Sequence, residues 1–257
     1  MNLFCDSDLS RNDFLGGRVR LWQPVAGYRA GVDPVLLAAS VPAVAGQSVL
    51  DLGCGAGAAC LCLEARVPGL QLTGVELQAP YADLARRNAA ENHVGLDVYE
   101  CDLTGLPSDL RQRQFDHVIA NPPYYQGGGH SPAADKGRSL ALSERTPLKD
   151  WVTVAAKRLS PRGYLHMIQK ADRLPDMLSA CAGLLGSIEV LPICARIGRK
   201  AELVVLRARK DGRAAFRLHA GLILHQGAQH DEDRENYTAA VSDVLRNAAP
   251  LPGFSVS

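Results

Sequence analysis

Ser48-Val-Leu-Asp51-Leu-Gly53-Cys-Gly55-Ala-Gly57 is the stretch that decides the fold. Ser48–Leu52 is a short apolar run, a cluster of alternating glycines follows it, and Ala58–Arg66 then takes up a helical pattern. Glycine at alternate positions lets the main chain turn sharply and lets a ligand come against bare backbone. Working outward, Gln71–Glu76, Leu96–Cys101, Phe115–Ala120, Gly163–Ile168, Ile188–Ala195 and Glu202–Ala208 read as strands. Between them Pro80–Asn92, Leu148–Leu159 and Arg173–Leu184 read as helices, with Pro80 in a first turn and Pro161-Arg-Gly163 as a turn before a strand. This alternation predicts an α/β fold, a doubly wound and mostly parallel sheet covered on both faces. The link around Gly198 is too short for a helical crossover, so the last two strands should form an antiparallel hairpin.

Ahead of this unit, Asp33-Pro34 before Val35–Ala39 predicts a helix capped by Asp33. After it, Arg217–His225 reads as one more strand and Glu235–Asn247 as a final helix. The chain is therefore expected to be one domain: an N-terminal extension over 1–47, a core over 48–210, and a C-terminal strand and helix over 211–257.

No apolar run approaches the ~18 residues needed to span a bilayer. Residues 1–13 hold acids and no apolar signal core, so a cytoplasmic location is expected. Seven cysteines without a CxxC pair indicate neither a disulfide framework nor a zinc ribbon. Cys60 and Cys62, two apart on a helix, point to nearly opposite sides, and His219, His225 and His230 match no ligand spacing, so no metal is expected. The net charge of +1 is unevenly spread. Residues 1–127 hold nine Lys/Arg and fourteen Asp/Glu (−5), whereas 128–257 hold nineteen and thirteen (+6). A basic second half suits a polyanion, although scattered solvated charge reads the same way.

The glycine loop alone also satisfies a loose dinucleotide pattern. Two acids favour S-adenosylmethionine instead. Asp51, at the strand end, can accept from the cofactor's ammonium group but would repel a pyrophosphate. Glu76 ends the next strand, where a carboxylate can take both ribose hydroxyls. Asp102, after the third strand, could accept from the adenine amino group. Ligands of open α/β sheets bind at the carboxyl ends of strands, and all three acids stand at such ends.

The fourth strand, Phe115–Ala120, runs into Asn121-Pro122-Pro123-Tyr124. An amine on a heteroaromatic ring, or a carboxamide, is a poor nucleophile because its lone pair is delocalised. Methyl transfer to it needs that lone pair aimed at the methyl group. Asn121 can accept one N–H through its side-chain carbonyl, the Pro122 main-chain carbonyl can accept the other, and Pro–Pro rigidity fixes both. Tyr124 offers a ring face for stacking a planar target. No strong general base is required, because the nitrogen becomes acidic once methylated.

Together, Asp51–Gly57 and Asn121–Tyr124 resemble the Rossmann-like (class I) methyltransferases that modify amino nitrogens. Within that group the chain is similar to the bacterial enzymes that methylate N6 of the adenosine beside the anticodon of valine tRNA. The likeness covers almost the whole chain and includes Gly31-Val-Asp33-Pro-Val-Leu-Leu37, Asn121-Pro-Pro-Tyr-Tyr-Gln126 and Asn236-Tyr237-Thr238. The chain departs from the group in a longer Gly127–Gly129 loop and an Arg/Lys-rich hairpin. The resemblance implies that Gly53, Gly55 and Gly57 line the cofactor, Glu76 holds the ribose and Asp102 lies near the adenine. It also implies that Asn121 to Tyr124 hold the target and that Gly31 and Asp33 lie across the methionine end. For Asp33 a plain helix cap stands as the competing reading.

The expected partner is RNA, tRNA foremost. Lys136 and Arg138, in a loop just after the catalytic turn, and Arg199, Lys200, Arg207 and Arg209 on the hairpin are the expected phosphate contacts. Arg207 and Arg209 share one side of their strand, and an edge strand protected by charge competes with that reading. The rivals are a guanine-amino methyltransferase of ribosomal RNA, a protein glutamine methyltransferase, and a binding module without turnover. Against the glutamine enzyme stand the only 47 residues before the first strand, too few for a helical substrate domain.

Overall fold

The computed structural model describes residues 3–124, 146–227 and 236–254. The chain opens with β1 (Leu9–Phe14) and β2 (Val19–Pro24), an antiparallel pair, and α1 (Asp33–Ala39). Then follow β3 (Ser48–Leu52), α2 (Ala58–Arg66), β4 (Gln71–Glu76), α3 (Ala79–Glu91), β5 (Leu96–Glu100), α4 (Ser108–Gln112) and β6 (Phe115–Ala120). After residue 146 come α5 (Leu148–Arg158), β7 (Leu159–Lys170), α6 (Leu174–Cys181), β8 (Gly186–Cys194) and β9 (Ala201–Arg209). The short β10 (Arg217–Leu218) and β11 (Leu222–Ile223) precede α7 (Ala239–Asn247).

The main sheet runs β10-β8-β9-β7-β6-β3-β4-β5, with β11 also on β8. It is the expected Rossmann-like sheet: β5, β4, β3, β6 and β7 are parallel, and β9 is antiparallel to both β7 and β8. Successive residues of each strand face opposite ways. Val49, Ile119, Ile168, Val205 and Leu191 enter the core under α1, α2 and α7. Their neighbours Leu50, Val118, Met167, Leu206 and Val190 enter the core under α4, α5 and α6. Both faces are thus covered, which is what makes the strands apolar throughout.

Asn88 on α3 and Asn92, the residue that caps its C-terminal end one turn later, hold the N-terminal hairpin. Asn88 Oδ1 accepts from the Trp22 N–H at 2.7 Å and Asn88 Nδ2 donates to the Trp22 carbonyl at 3.0 Å. Asn92 makes the same pair of bonds to Arg20. These side chains satisfy an edge strand as a neighbouring strand would. Asn88 also donates to the Ala56 carbonyl at 2.9 Å, tying the hairpin to the glycine loop.

Four expectations are corrected. The strand over Arg217–His225 is split into β10 and β11, both parallel to β8. The break falls opposite Leu191 and Pro192, and Pro192 has no N–H to give the ladder. The last helix starts at Ala239 because Thr238 caps it, its hydroxyl accepting from the Val241 N–H, while Glu235 lies outside the described residues. Pro161-Arg-Gly163 lies inside β7 as a bulge, with Arg162 at φ +66°. Asp33 is the first residue of α1 and makes no cap; Val32 stands at the cap position.

Candidate active site

β3, β4, β5 and β6 end on one side of the sheet, and the chain after each contributes to one cavity there. β3 brings Asp51, Gly53 and Gly55, β4 brings Glu76, Leu77 and Gln78, β5 brings Cys101, Asp102 and Leu103, and β6 brings Asn121 to Tyr124. The cavity lies where the order of strands reverses, between β3 and β6, the usual ligand position in such sheets.

Gly53 needs to be glycine twice over. Its φ is +68°, and a Cβ there would sit 2.6 Å from the Trp151 ring. Trp151, on α5, closes this side of the cavity and donates its indole N–H to the Thr146 carbonyl at 3.2 Å. Glu76 secures the loop from beneath: its Oε2 accepts from the Gly55 N–H at 2.9 Å and its Oε1 from the Gln78 N–H at 2.9 Å. Gly57, at φ +84°, is the cap residue of α2, faces Ala85 and Leu96, and does not line the cavity.

Two of the three acids, Asp51 and Glu76, are buried, and Asp102 is exposed. Asp51 is 2% exposed; burial pushes its carboxyl up to about 7, against a lowering hydrogen bond from the Cys60 thiol and with a further push from Glu76. Burial also raises Glu76, and the backbone N–H donors partly offset it. Buried carboxylates held in this state suit a cationic or polyhydroxyl ligand that would restore their solvation. Asp102 spends Oδ1 on capping the next turn, accepting from the Thr104 N–H at 2.8 Å and its hydroxyl at 2.7 Å, while still lining the cavity.

The turn after β6 is held from two sides. Tyr124 donates its hydroxyl to Asp33 Oδ2, which explains Asp33 better than a cap or a cofactor contact does. Burial, then the Asp33 charge, push the Tyr124 phenol up, so it acts as a donor and not as a base. The Lys170 ammonium lies 5.6 Å from the centre of the Tyr124 ring, so one face is already engaged. From β7, buried Gln169 donates to the Pro122 carbonyl at 3.2 Å.

Tyr28 crosses the cavity near Gly55 and is locked by Tyr81, whose hydroxyl accepts from the Tyr28 N–H at 2.9 Å and donates to its carbonyl at 3.2 Å. Sequence reading missed Tyr28, Trp151 and Gln169, since none lies in a recognisable motif. Gly31 is close to this wall in the chain, but Gln23, Tyr28, Ala30 and Pro34 are the residues that line it.

Of the basic residues, Arg199 and Lys200 are exposed in the β8–β9 turn, at the sheet end that carries the cavity. Arg207 is corrected: it is 4% exposed and pairs with Glu189 Oε1 at 2.8 Å, with Phe254 4.8 Å from its guanidinium. It does share a side with Arg209, both lying over Tyr164, but the C-terminal segment covers that side. Arg209, paired in register with Tyr164 and Gly186, sits at the opposite end of the sheet from the cavity. Lys136 and Arg138 lie outside the described residues. Among the described residues no group of three His, Cys, Asp or Glu is arranged to hold a metal, and no helix is long and apolar enough to cross a membrane.

The family model for the methyltransferase small domain matches residues 30–191, a span holding the glycine loop, the three acids and the Asn121–Tyr124 turn. The chain belongs to the methyltransferase small domain family. Within it, a Porphyromonas gingivalis protein named tRNA1(Val) (adenine(37)-N6)-methyltransferase is 34% identical over 168 residues, 60% of this chain and 64% of that one. The match therefore spans just under two thirds of that relative. A Glaesserella parasuis protein of the same name is 28% identical over 216 residues, 82% of this chain and 86% of the relative. Among solved structures, one described as a predicted O-methyltransferase from Agrobacterium tumefaciens superposes with a TM-score of 0.70 at 28% identity, covering 87% of this chain and all of that one. The T. thermophilus 16S rRNA N2 G1207 methyltransferase, solved with AdoMet and guanosine, shares the fold, with a TM-score of 0.56 at 22% identity over 79% of this chain and 50% of its own.

Proposed function

We propose that this chain is an S-adenosylmethionine-dependent methyltransferase acting on the exocyclic amino nitrogen of adenine in RNA, with tRNA as the substrate. The observation that carries the reading is the Asn121-Pro-Pro-Tyr124 turn, set in the wall of a cavity whose other walls are a glycine loop and two buried acids. The bound cofactor would supply an electrophilic methyl group on a cationic sulfonium.

Asp51 suits the ammonium group, Glu76 the ribose hydroxyls, and Leu77, Cys101, Asp102 and Leu103 an adenine. Asn121 and the Pro122 carbonyl are two acceptors for the two N–H bonds of an amine, aligning its lone pair without removing a proton. Tyr124 offers a stacking face, with Lys170 behind it. The names of the Porphyromonas and Glaesserella relatives support adenine N6 and tRNA. The exposure of Arg199 and Lys200 at the same end of the sheet as the cavity supports them as phosphate contacts. We take the whole chain as one catalytic unit, and an RNA substrate of this kind implies a cytoplasmic location.

The test is methyl transfer from labelled S-adenosylmethionine to total tRNA, ribosomal RNA or total protein, followed by digestion and mass spectrometry. N6-methyladenosine in tRNA supports the reading. N2-methylguanosine in ribosomal RNA or methylglutamine in protein replaces it with a rival, and no transfer at all leaves a binding module.

A further inference from the structure

Gln169 lies at the end of β7, fully buried, and none of the motifs includes it. Its amide is held at both ends. Its Oε1 accepts from the Lys170 main-chain N–H at 2.8 Å, which leaves Nε2 aimed at the Pro122 carbonyl, 3.2 Å away. A prolyl peptide carbonyl has two lone pairs. Gln169 engages one of them from behind the turn, and the Pro122 residue itself faces the cavity. A buried polar side chain with both ends satisfied is a rigid support, because releasing it would strand a donor and an acceptor in the core.

We infer that Gln169 is a positioning residue for methyl transfer: by fixing the plane of the Pro122 carbonyl it keeps that carbonyl's second lone pair turned to the incoming amine. This rests on the function proposed above and adds to it the group that orients one of the two acceptors. The ring fixes the φ of Pro122, and Pro123 after it confines ψ, the angle that swings the carbonyl, to an extended range roughly 40° wide. The hydrogen bond from Gln169 narrows the carbonyl to one direction within that range. Polarisation of the carbonyl by Nε2 is a smaller effect than its orientation, since misplacement of a reacting group by about 1 Å is itself worth up to ~100-fold in rate.

The test compares wild type, Gln169→Met and Gln169→Asn in steady-state methylation of tRNA. Gln169→Met keeps length and removes the donor. Gln169→Asn keeps a buried amide but draws its donor back from Pro122 by one carbon, so it serves if the Met variant does not fold. Melting curves and S-adenosylmethionine titration by calorimetry accompany the kinetics. The expected result is a loss of about 10- to 100-fold in kcat, with cofactor Kd and tRNA KM within about threefold of wild type. Combining either variant with Asn121→Ala should cost much less than the product of the single effects, because both align the same nitrogen. A merely structural glutamine would lower the melting temperature and add independently to Asn121→Ala, and that outcome overturns the inference. So does a folded variant with wild-type kcat. An inactive wild type would instead overturn the proposed function, a result the wild-type control reads separately.

Discussion

Asp51 is a carboxyl raised to about 7 by burial, with a thiol as its hydrogen-bond donor. Its folded pKa lies above its ordinary value, so ionising it costs stability as pH rises from about 4 through about 7. A ligand ammonium beside it would reverse that cost and expel the proton. Cofactor binding should therefore tighten roughly 10-fold between pH 5.5 and 7, below the range where an α-amino group (~7.7–8.0) loses its own proton. Calorimetry across that range checks this, and Asp51→Asn should flatten the dependence; a Kd independent of pH would remove Asp51 from the ammonium site. Asp51, Glu76 and Asn121 were legible because acids and a double proline at strand ends have few reasons to be there other than a ligand. Tyr28, Trp151 and Gln169 were not, because each acts through contacts with residues far away in the chain. Asp33 was read as a helix cap or as a residue across the methionine end; it makes no cap, and its side chain accepts from the Tyr124 hydroxyl.

Elements were legible where pattern and punctuation agreed. Ser48–Leu52, Gln71–Glu76 and Phe115–Ala120 fold as read, each a run of apolar residues ending at a glycine, acid or proline cluster. The hairpin of β1 and β2 had no such signature, since β1 is mostly polar and the outer edge of β2 pairs with asparagine side chains instead of another strand. In β9 the alternation was right and the exposure wrong, because Phe254 and the Glu189–Arg207 pair close over that face from other parts of the chain. Replacing Arg207 by Met should leave Glu189 held by His219, whose Nε2 lies 2.8 Å from its Oε2, and cost about 1.5–3 kcal/mol for the lost charged hydrogen bond. Urea unfolding measures this; stability equal to wild type would return Arg207 to the surface role first expected of it. The same variant should leave the salt dependence of RNA binding unchanged.

Across the whole molecule, charge is divided between an acidic first half and a basic second half. The cavity belongs mainly to the first and the β8–β9 turn to the second, so a polyanion would lie across the turn with one base reaching the cavity. Phosphate contacts release counterions, and a double reversal, Arg199→Glu with Lys200→Glu, should flatten the log–log salt slope of tRNA binding by roughly 1.5–2 while leaving cofactor affinity alone. An unchanged slope would move the RNA path elsewhere. The central claim, that the Asn121–Tyr124 turn aligns an adenine amino group of tRNA for methylation, is tested most directly in cells lacking this chain. Their tRNA, digested to nucleosides and weighed by mass spectrometry, should lack N6-methyladenosine at one position. Wild-type chain should restore it, and Asn121→Ala, folded and binding cofactor, should restore less than ~1% of the wild-type rate of its formation. Full restoration by Asn121→Ala, or tRNA that never changed, would contradict the account.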